Sequence, residues 1–144
     1  MSSRLVCILL FCLSAGSAAG HGVKTRTIEI VHPWTFGSST AGGDVEVCFK
    51  IKNSGRLPDR LIGARTPLAA TITIVEPDAG STTATRAIKA IDVAAGGQVA
   101  LQLGERRLQL ARFSRATSAW ELFPLTLVFE RAGPITVEVL VEEK

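Results

Sequence analysis

The residues best suited to chemistry are scarce in this 144-residue sequence. Its histidines are His21 and His32, and its cysteines are Cys7, Cys12 and Cys48. An imidazole can bind a metal or move a proton near neutral pH, and a thiolate can attack an electrophile or bind a soft metal ion. No serine occupies a Gly-x-Ser-x-Gly elbow, and no cysteines, histidines and carboxylates have the spacing of a structural zinc site. The sequence therefore predicts a protein that is not an enzyme.

The overall charge also limits the class of partner. The formal net charge is +3, and no run of five like charges occurs. A nucleic-acid-binding domain normally concentrates lysine and arginine in a dense stripe. No apolar stretch after residue 20 is long enough to cross a bilayer. We therefore expect no nucleic-acid partner and no membrane anchor.

The elements that must position these groups are short strands. Apolar and polar residues alternate most cleanly in 44–53, where Val45, Val47, Phe49 and Ile51 share one face. Such alternation is typical of a strand with one buried face. Similar segments, separated by turns rich in Gly, Pro, Asn and Ser, are 27–31, 60–65, 71–75, 98–103, 107–111, 125–129 and 135–141. The pattern predicts an all-β antiparallel sandwich, and the best helix candidate is 114–122.

Cys48 is the single cysteine beyond residue 20, so residues 21–144 contain no internal disulfide. The alternation places it on the face opposite the apolar stripe of 45–51. A buried, inert thiol is the favoured interpretation, because free cysteine is among the most buried residue types. An exposed thiol that crosslinks two copies of the chain is the alternative.

The first 20 residues have the composition of a cleaved export signal. Arg4 supplies a positive charge, 5–13 form an apolar run too short to span a bilayer, and 14–20 are small residues. Cleavage fits after Ala18, Ala19 or Gly20, and the last two are favoured. We predict a signal peptide over 1–20, a single domain over 21–144, and a periplasmic or secreted location.

Lipid attachment is not expected at the signal. A lipoprotein signal needs a small residue immediately before the modified cysteine, whereas Phe11 precedes Cys12. Cys7 and Cys12 both lie inside the predicted signal and leave with it.

Five segments, taken in order, resemble the periplasmic copper chaperones of the PCu(A)C, or PCuAC, family. They are 30–34 (IVHPW), 51–55 (IKNSG), 58–63 (PDRLIG), 95–97 (AGG) and 124–133 (PLTLVFERAG). The resemblance covers nearly all of the chain after residue 20. It implies a cupredoxin-like Greek-key antiparallel β-sandwich and a role in carrying copper to cytochrome oxidase or in related periplasmic copper handling.

The same resemblance implies where a copper site would lie. The family holds Cu(I) with a histidine after one strand, a methionine further along, and a later His-x-Met pair. Those positions fall here on Val75, Thr85 or Arg86, Arg107 and Gln109. Cu(I) is a soft ion that prefers sulfur and imidazole, and the single methionine of the chain is Met1. We therefore predict no copper at these positions and no required cofactor.

Three functions remain open at the level of sequence. The first is a scaffold or binding partner in copper or oxidase biology, in which Arg107 and Gln109 receive an acidic or anionic periplasmic protein. An ordinary charged, solvated strand edge would explain the same residues. The second is copper bound elsewhere, as Cu(II) at the mature N-terminus. The third is an interaction module unrelated to metals.

The Cu(II) alternative depends on where the signal is cut. Cleavage after Gly20 makes His21 the first residue, and its amine and imidazole together can chelate Cu(II). Cleavage after Ala18 places His21 third, where deprotonated amides can help to bind the metal. His32 could assist if the N-terminus folds back, whereas a disordered terminus would leave His21 alone.

Overall fold

The computed structural model describes residues 21–144, which form eleven β-strands joined by turns, without an α-helix in that range. The strands are β1 (Gly22–Lys24), β2 (Ile28–Thr35), β3 (Val45–Asn53), β4 (Asp59–Arg65), β5 (Thr71–Pro77), β6 (Thr85–Ile88), β7 (Ile91–Val93), β8 (Gln98–Leu101), β9 (Arg107–Ala111), β10 (Leu122–Phe129) and β11 (Gly133–Val141). The predicted all-β fold is confirmed. The predicted signal peptide, 1–20, lies outside the described residues.

Strand β3 connects two sheets. Its first residues, from Val45 to Val47, pair with β9, and its later residues pair with β2 and β8. The strands follow the order β6-β5-β9-β3-β2-β11-β10-β4-β7, with β1 added to β2 and β8 added to β3. One pair departs from the predicted antiparallel arrangement, because β11 runs parallel to β2 through Leu140 and Val141. The sheet is therefore mixed.

The core lies between the two sheets and is built from the alternating residues of each strand. Val45, Val47, Phe49 and Ile51 are all buried, as the alternation of β3 predicts. Phe113 and Phe123 pack edge to face, with ring centroids 5.0 Å apart. Burial of a contiguous apolar core is the main stabilising contribution to a domain of this size, so the fold has no need of a metal.

The helix prediction for 114–122 is wrong. The segment forms turns, and Trp120 adopts a positive φ of 70°. The N–H of Trp120 donates to the carbonyl of Val141, and the N–H of Val141 donates to the carbonyl of Glu121. Pairing with the end of β11 supplies the hydrogen bonds that a helix would otherwise make internally.

Two buried polar side chains hold the turns at one end of the sandwich, which we call the clasp end (25–27, 54–58, 94–97 and 130–132). The Asn53 amide donates to the carbonyls of Leu57 and Val93, and its Oδ1 accepts the N–H of Gly55. The Asp59 carboxylate accepts three backbone N–H groups, from Arg60, Arg131 and Ala132. Asn53 and Asp59 belong to the segments that carry the family resemblance, so those segments have a structural role.

Candidate functional site

The four positions to which the resemblance assigns copper ligands lie on one outer face of β5, β6 and β9. Val75 is paired directly with Arg107, and Gln109 is paired with Thr73. Thr85 is paired with Pro77, two residues along β5 from Val75. Glu46 and Cys48 of β3 continue the same face beyond Gln109. We call this surface the β9 face and define it as Val75, Thr85, Arg107, Gln109, Glu46 and Cys48.

Arg107 is fixed on the β9 face by neighbouring groups. Its Nε donates to Oε1 of Glu46, and its Nη1 donates to the carbonyl of Glu105 at 2.9 Å. The Arg107 side chain is only 12% exposed, whereas that of Glu46 is 42% exposed. Gln109 donates through Nε2 to Oδ2 of Asp44 at 3.2 Å. Both predicted binding residues are thus already hydrogen-bonded within the protein.

Cys48 is completely buried beside this ion pair. Burial raises the pKa of the thiol to about 11, and the nearby Glu46 carboxylate adds to the rise. The Arg107 guanidinium and a hydrogen bond with the backbone of Leu103 act in the opposite direction. Because the thiol is protonated and enclosed at neutral pH, the structure favours the inert interpretation and contradicts the exposed, crosslinking one.

The side-chain groups of the β9 face do not fit a Cu(I) ion. They comprise an isopropyl group, a hydroxyl, a guanidinium, an amide, a carboxylate and a protonated thiol, whereas Cu(I) prefers thioether, thiolate and imidazole. Within residues 21–144, no three His, Cys, Asp or Glu side chains come close enough together to hold a metal ion.

Most of the arginines near the β9 face are paired with carboxylates of the same chain. Glu76 accepts from Arg106 at 3.1 Å and also from Arg86. The hydrogen bond from Arg106, with a further contribution from the charge of Arg86, holds the pKa of Glu76 below its usual value. Arg115 pairs with Glu121 at 2.8 Å. The local positive charge is therefore partly compensated, because Glu76 is shared by two arginines and the side chain of Arg112 forms no ion pair within residues 21–144.

The two histidines lie together at the opposite end of β2 from the clasp end. Their ring centroids are 4.8 Å apart, and the N–H of His32 donates to the carbonyl of His21 at 3.0 Å. His32 has a positive φ of 51° at an irregularity of β2 and lies 2.7 Å, Nε2 to Oε1, from Glu142. The N-terminal segment thus folds back onto β2. Sequence reasoning missed Glu142, because only the parallel β2–β11 pairing brings it near.

The hydrogen bond of His21 determines which ring nitrogen can bind a metal. Its Nε2 lies 2.8 Å from the carbonyl oxygen of Pro33. A carbonyl oxygen only accepts hydrogen bonds, so Nε2 must carry the proton and Nδ1 is bare in the neutral ring. Nδ1 is also the ring nitrogen nearer to the backbone amine of its own residue, and the two together can form a chelate.

Comparison with protein families gives one match, and it covers most of the chain. The model of the family described as "Putative lipoprotein LpqE-like" matches residues 28–141. No curated protein sequence matches the chain.

No helix within residues 21–144 is long and apolar enough to cross a membrane.

Several solved structures share the fold. The copper-bound PCuAC domain from PmoF2 is 25% identical, with a TM-score of 0.72, and the match covers 86% of this chain and 99% of that one. The apo PCuAC domain from PmoF1 is 18% identical, with a TM-score of 0.74, and the match covers 86% of this chain and 100% of that one. CuI-DR1885 from Deinococcus radiodurans is 19% identical, with a TM-score of 0.64, and the match covers 90% of this chain and 84% of that one. These matches confirm the predicted cupredoxin-like sandwich.

Proposed function

The chain belongs to the LpqE-like family, and from this premise we propose that it is an exported, PCuAC-type protein of periplasmic copper handling that does not hold Cu(I) on its β9 face. The observation that carries the proposal is the likeness to a copper-bound PCuAC domain, which spans 86% of the chain at 25% identity. The proposed role, in copper delivery or in cytochrome oxidase assembly, is that of a binding partner and not that of an enzyme.

The charge of Arg107 supports the absence of Cu(I) from this face. Arginine stays protonated at any physiological pH. An unpaired guanidinium about 4 Å away would repel a monovalent ion by about 4 kcal/mol at an effective dielectric constant of about 20, and the Glu46 carboxylate paired with Arg107 offsets part of that repulsion. The charge therefore adds to the main obstacle to Cu(I), which is the absence of sulfur ligands.

Metal analysis of the mature protein tests the proposal. The protein would be purified from its own compartment, its start determined by intact mass, and then offered Cu(I) and Cu(II) separately against a competing chelator. We expect no stoichiometric Cu(I) binding at the β9 face. Tight binding of one Cu(I) that is lost in R107A/Q109A would contradict the proposal.

A second candidate function is Cu(II) binding at the mature N-terminus, and the contact between the two histidines favours it. The fold brings His32 within 4.8 Å of His21, centroid to centroid, and the tautomer of His21 leaves Nδ1 available. If the mature chain begins at His21, its amine, its Nδ1 and the imidazole of His32 supply three nitrogen donors. Such ligands suit Cu(II), which favours nitrogen in tetragonal geometry.

Two altered forms of the mature protein separate this candidate from non-specific binding. H21A removes the imidazole, and N-terminal acetylation removes the amine but keeps both histidines. We expect each to lose the Cu(II) electron paramagnetic resonance signal of the site and H32A to weaken it. Equal Cu(II) affinity in all of these forms would exclude the N-terminal site.

A further inference from the structure

The clasp end of the sandwich contains a cavity that neither copper hypothesis uses. Its volume is about 300 Å³. The residues that line it are Thr27, Asn53, Gly55, Arg56, Leu57, Asp59, Arg131 and Ala132. It lies far from the β9 face, because Asn53 is seven positions after Glu46 in β3, or about 23 Å along an extended strand.

Two arginines without a side-chain partner in the described part of the chain border this cavity. Within residues 21–144, the side chains of Arg56 and Arg131 make neither an ion pair nor a hydrogen bond, although both border the same concavity. The carboxylate among the lining residues is Asp59, which is 5% exposed. Its oxygens already accept the N–H groups of Arg60, Arg131 and Ala132. The two guanidinium groups are thus available to an external anion.

The backbone around the cavity is held in place before any ligand arrives. Asp59 fixes the turn that carries Arg131, and Asn53 fixes the turn that carries Arg56 through its bonds to Gly55 and Leu57. A preformed site avoids part of the entropy cost of ordering loops upon binding. The two turns therefore hold the backbones of both arginines at one concavity, whose lining also includes the buried carboxylate of Asp59.

The apolar part of the cavity restricts the ligand further. Leu57 is 57% exposed at the edge of the cavity and gives it an apolar rim. Arginine pairs with carboxylates through two parallel hydrogen bonds. Burial of the exposed Leu57 side chain against an apolar neighbour is also favourable in free energy. A free inorganic anion would satisfy the arginines and leave Leu57 in water.

We propose that this cavity is a docking site for an acidic segment of a partner protein, with a carboxylate between Arg56 and Arg131 and an adjacent apolar side chain against Leu57. A protein segment is favoured as the occupant, because it can present a carboxylate to the two arginines and an apolar side chain to Leu57 at the same time.

A titration monitored by ¹⁵N–¹H NMR tests the site with a blocked peptide, acetyl-Leu-Glu-Glu-Leu-amide, and its glutamine analogue as the uncharged control. We expect the acidic peptide to shift the amide resonances of 54–57 and 130–133, and the glutamine analogue to leave them unchanged. The variant R56Q/R131Q should bind at least about tenfold more weakly, because hydrogen bonds to a charged group contribute about 1.5–3 kcal/mol.

A matched variant controls for general electrostatic attraction. R65Q/K89Q also removes two positive charges, from exposed residues outside the cavity lining, and should bind the peptide as the unaltered protein does. R56K/R131K keeps the charge but loses the planar guanidinium, and should show intermediate affinity.

Three results would overturn the proposal. The first is equal weakening in R56Q/R131Q and R65Q/K89Q, which would mean diffuse attraction. The second is inorganic phosphate shifting the same resonances with an affinity equal to that of the peptide. The third is co-sedimentation with anionic phospholipid vesicles that depends on Arg56 and Arg131, together with no peptide binding, which would assign the surface to a membrane. None of these results bears on copper binding at the β9 face or the N-terminus.

Discussion

Arg107 places a permanent positive charge on the β9 face, and the protein neutralises it internally. The guanidinium is nearly covered and pairs with the more exposed Glu46. A charge removed from water must be compensated by its neighbours, and loss of one partner leaves the other destabilised. Arg107 therefore stabilises β9 against β3 at a place where the resemblance implies a metal ligand.

We expect R107A to lower the free energy of unfolding by about 1.5–3 kcal/mol, the range typical of a hydrogen bond to a charged group. Urea denaturation measures this change. R86A removes an ion pair whose arginine is 62% exposed, and exposed pairs contribute about 1 kcal/mol or less. Equal losses in the two variants would contradict a special role for Arg107.

The Cys48 thiol has a pH dependence that follows from its burial. Its pKa is raised from 9.0 to about 11, so the folded protein holds the proton more tightly than the unfolded chain. The stability contributed by this group is complete below pH 9 and is lost as the pH rises through about 11. We expect the free energy of unfolding to fall between pH 8 and pH 11, and to fall less in C48A.

The native Cys48 thiol should react slowly with a disulfide reagent at pH 8, and a rapid reaction there would show that Cys48 is accessible.

At the level of single residues, the sequence predicted the burial of the β3 stripe, and the favoured buried interpretation of Cys48 is confirmed. That interpretation came from the residue type, because alternation alone assigns Cys48 to the outer face of β3. The backbone of Leu103, from a turn far along the chain, lies within hydrogen-bond reach of the thiol, and no local pattern predicts this neighbour. The contact between His32 and Glu142 is equally non-local, since β2 and β11 meet only in the folded sheet.

Among the elements, the long strands could be predicted because half of their residues are buried in strict alternation. The short strands β6 and β7 could not, since β6 is almost wholly exposed and carries no apolar stripe. The segment 114–122 has no breaker until Pro124 and so resembles a helix. Its backbone is bound to Val141 across the sheet, which no local pattern reveals.

The turns of the clasp end depend on a single carboxylate. Asp59 accepts three backbone N–H groups and joins the start of β4 to the turn between β10 and β11. We expect D59A to lower the free energy of unfolding by about 2–4 kcal/mol, because buried N–H groups left without an acceptor cost about 1–3 kcal/mol each and some will find water. Denaturation of D59N provides the control, since it keeps one acceptor oxygen and should lose less. Full stability of D59A would show that the turn is held by other contacts.

For the molecule as a whole, the arrangement separates three surfaces on one rigid scaffold. The β9 face lies beside the first residues of β3, His21 and His32 lie beside its middle, and the cavity lined by Arg56 and Arg131 lies at its end. The core between the sheets is continuous and apolar, so changes on the β9 face leave most stabilising contacts intact. The scaffold can therefore tolerate the loss, or the return, of a metal site.

This tolerance permits a direct test of the positions that the resemblance assigns. Val75 and Arg107 are paired across β5 and β9, and Gln109 follows on the same face. If these positions correspond to the family ligands, V75H/T85M/R107H/Q109M supplies two imidazoles and two thioethers and removes the repelling charge. We expect this variant to bind one Cu(I) in competition with a colorimetric chelator, and the unaltered protein to bind none there. A design with R86M in place of T85M should bind Cu(I) more weakly. Arg86 is paired with Glu76, the residue next to Val75, so its side chain lies on the opposite face of the strands from Val75. If both designs fold and neither binds Cu(I), these four positions do not correspond to the copper ligands of the family. The absence of copper ligands at these positions would then be no evidence about the function of the chain.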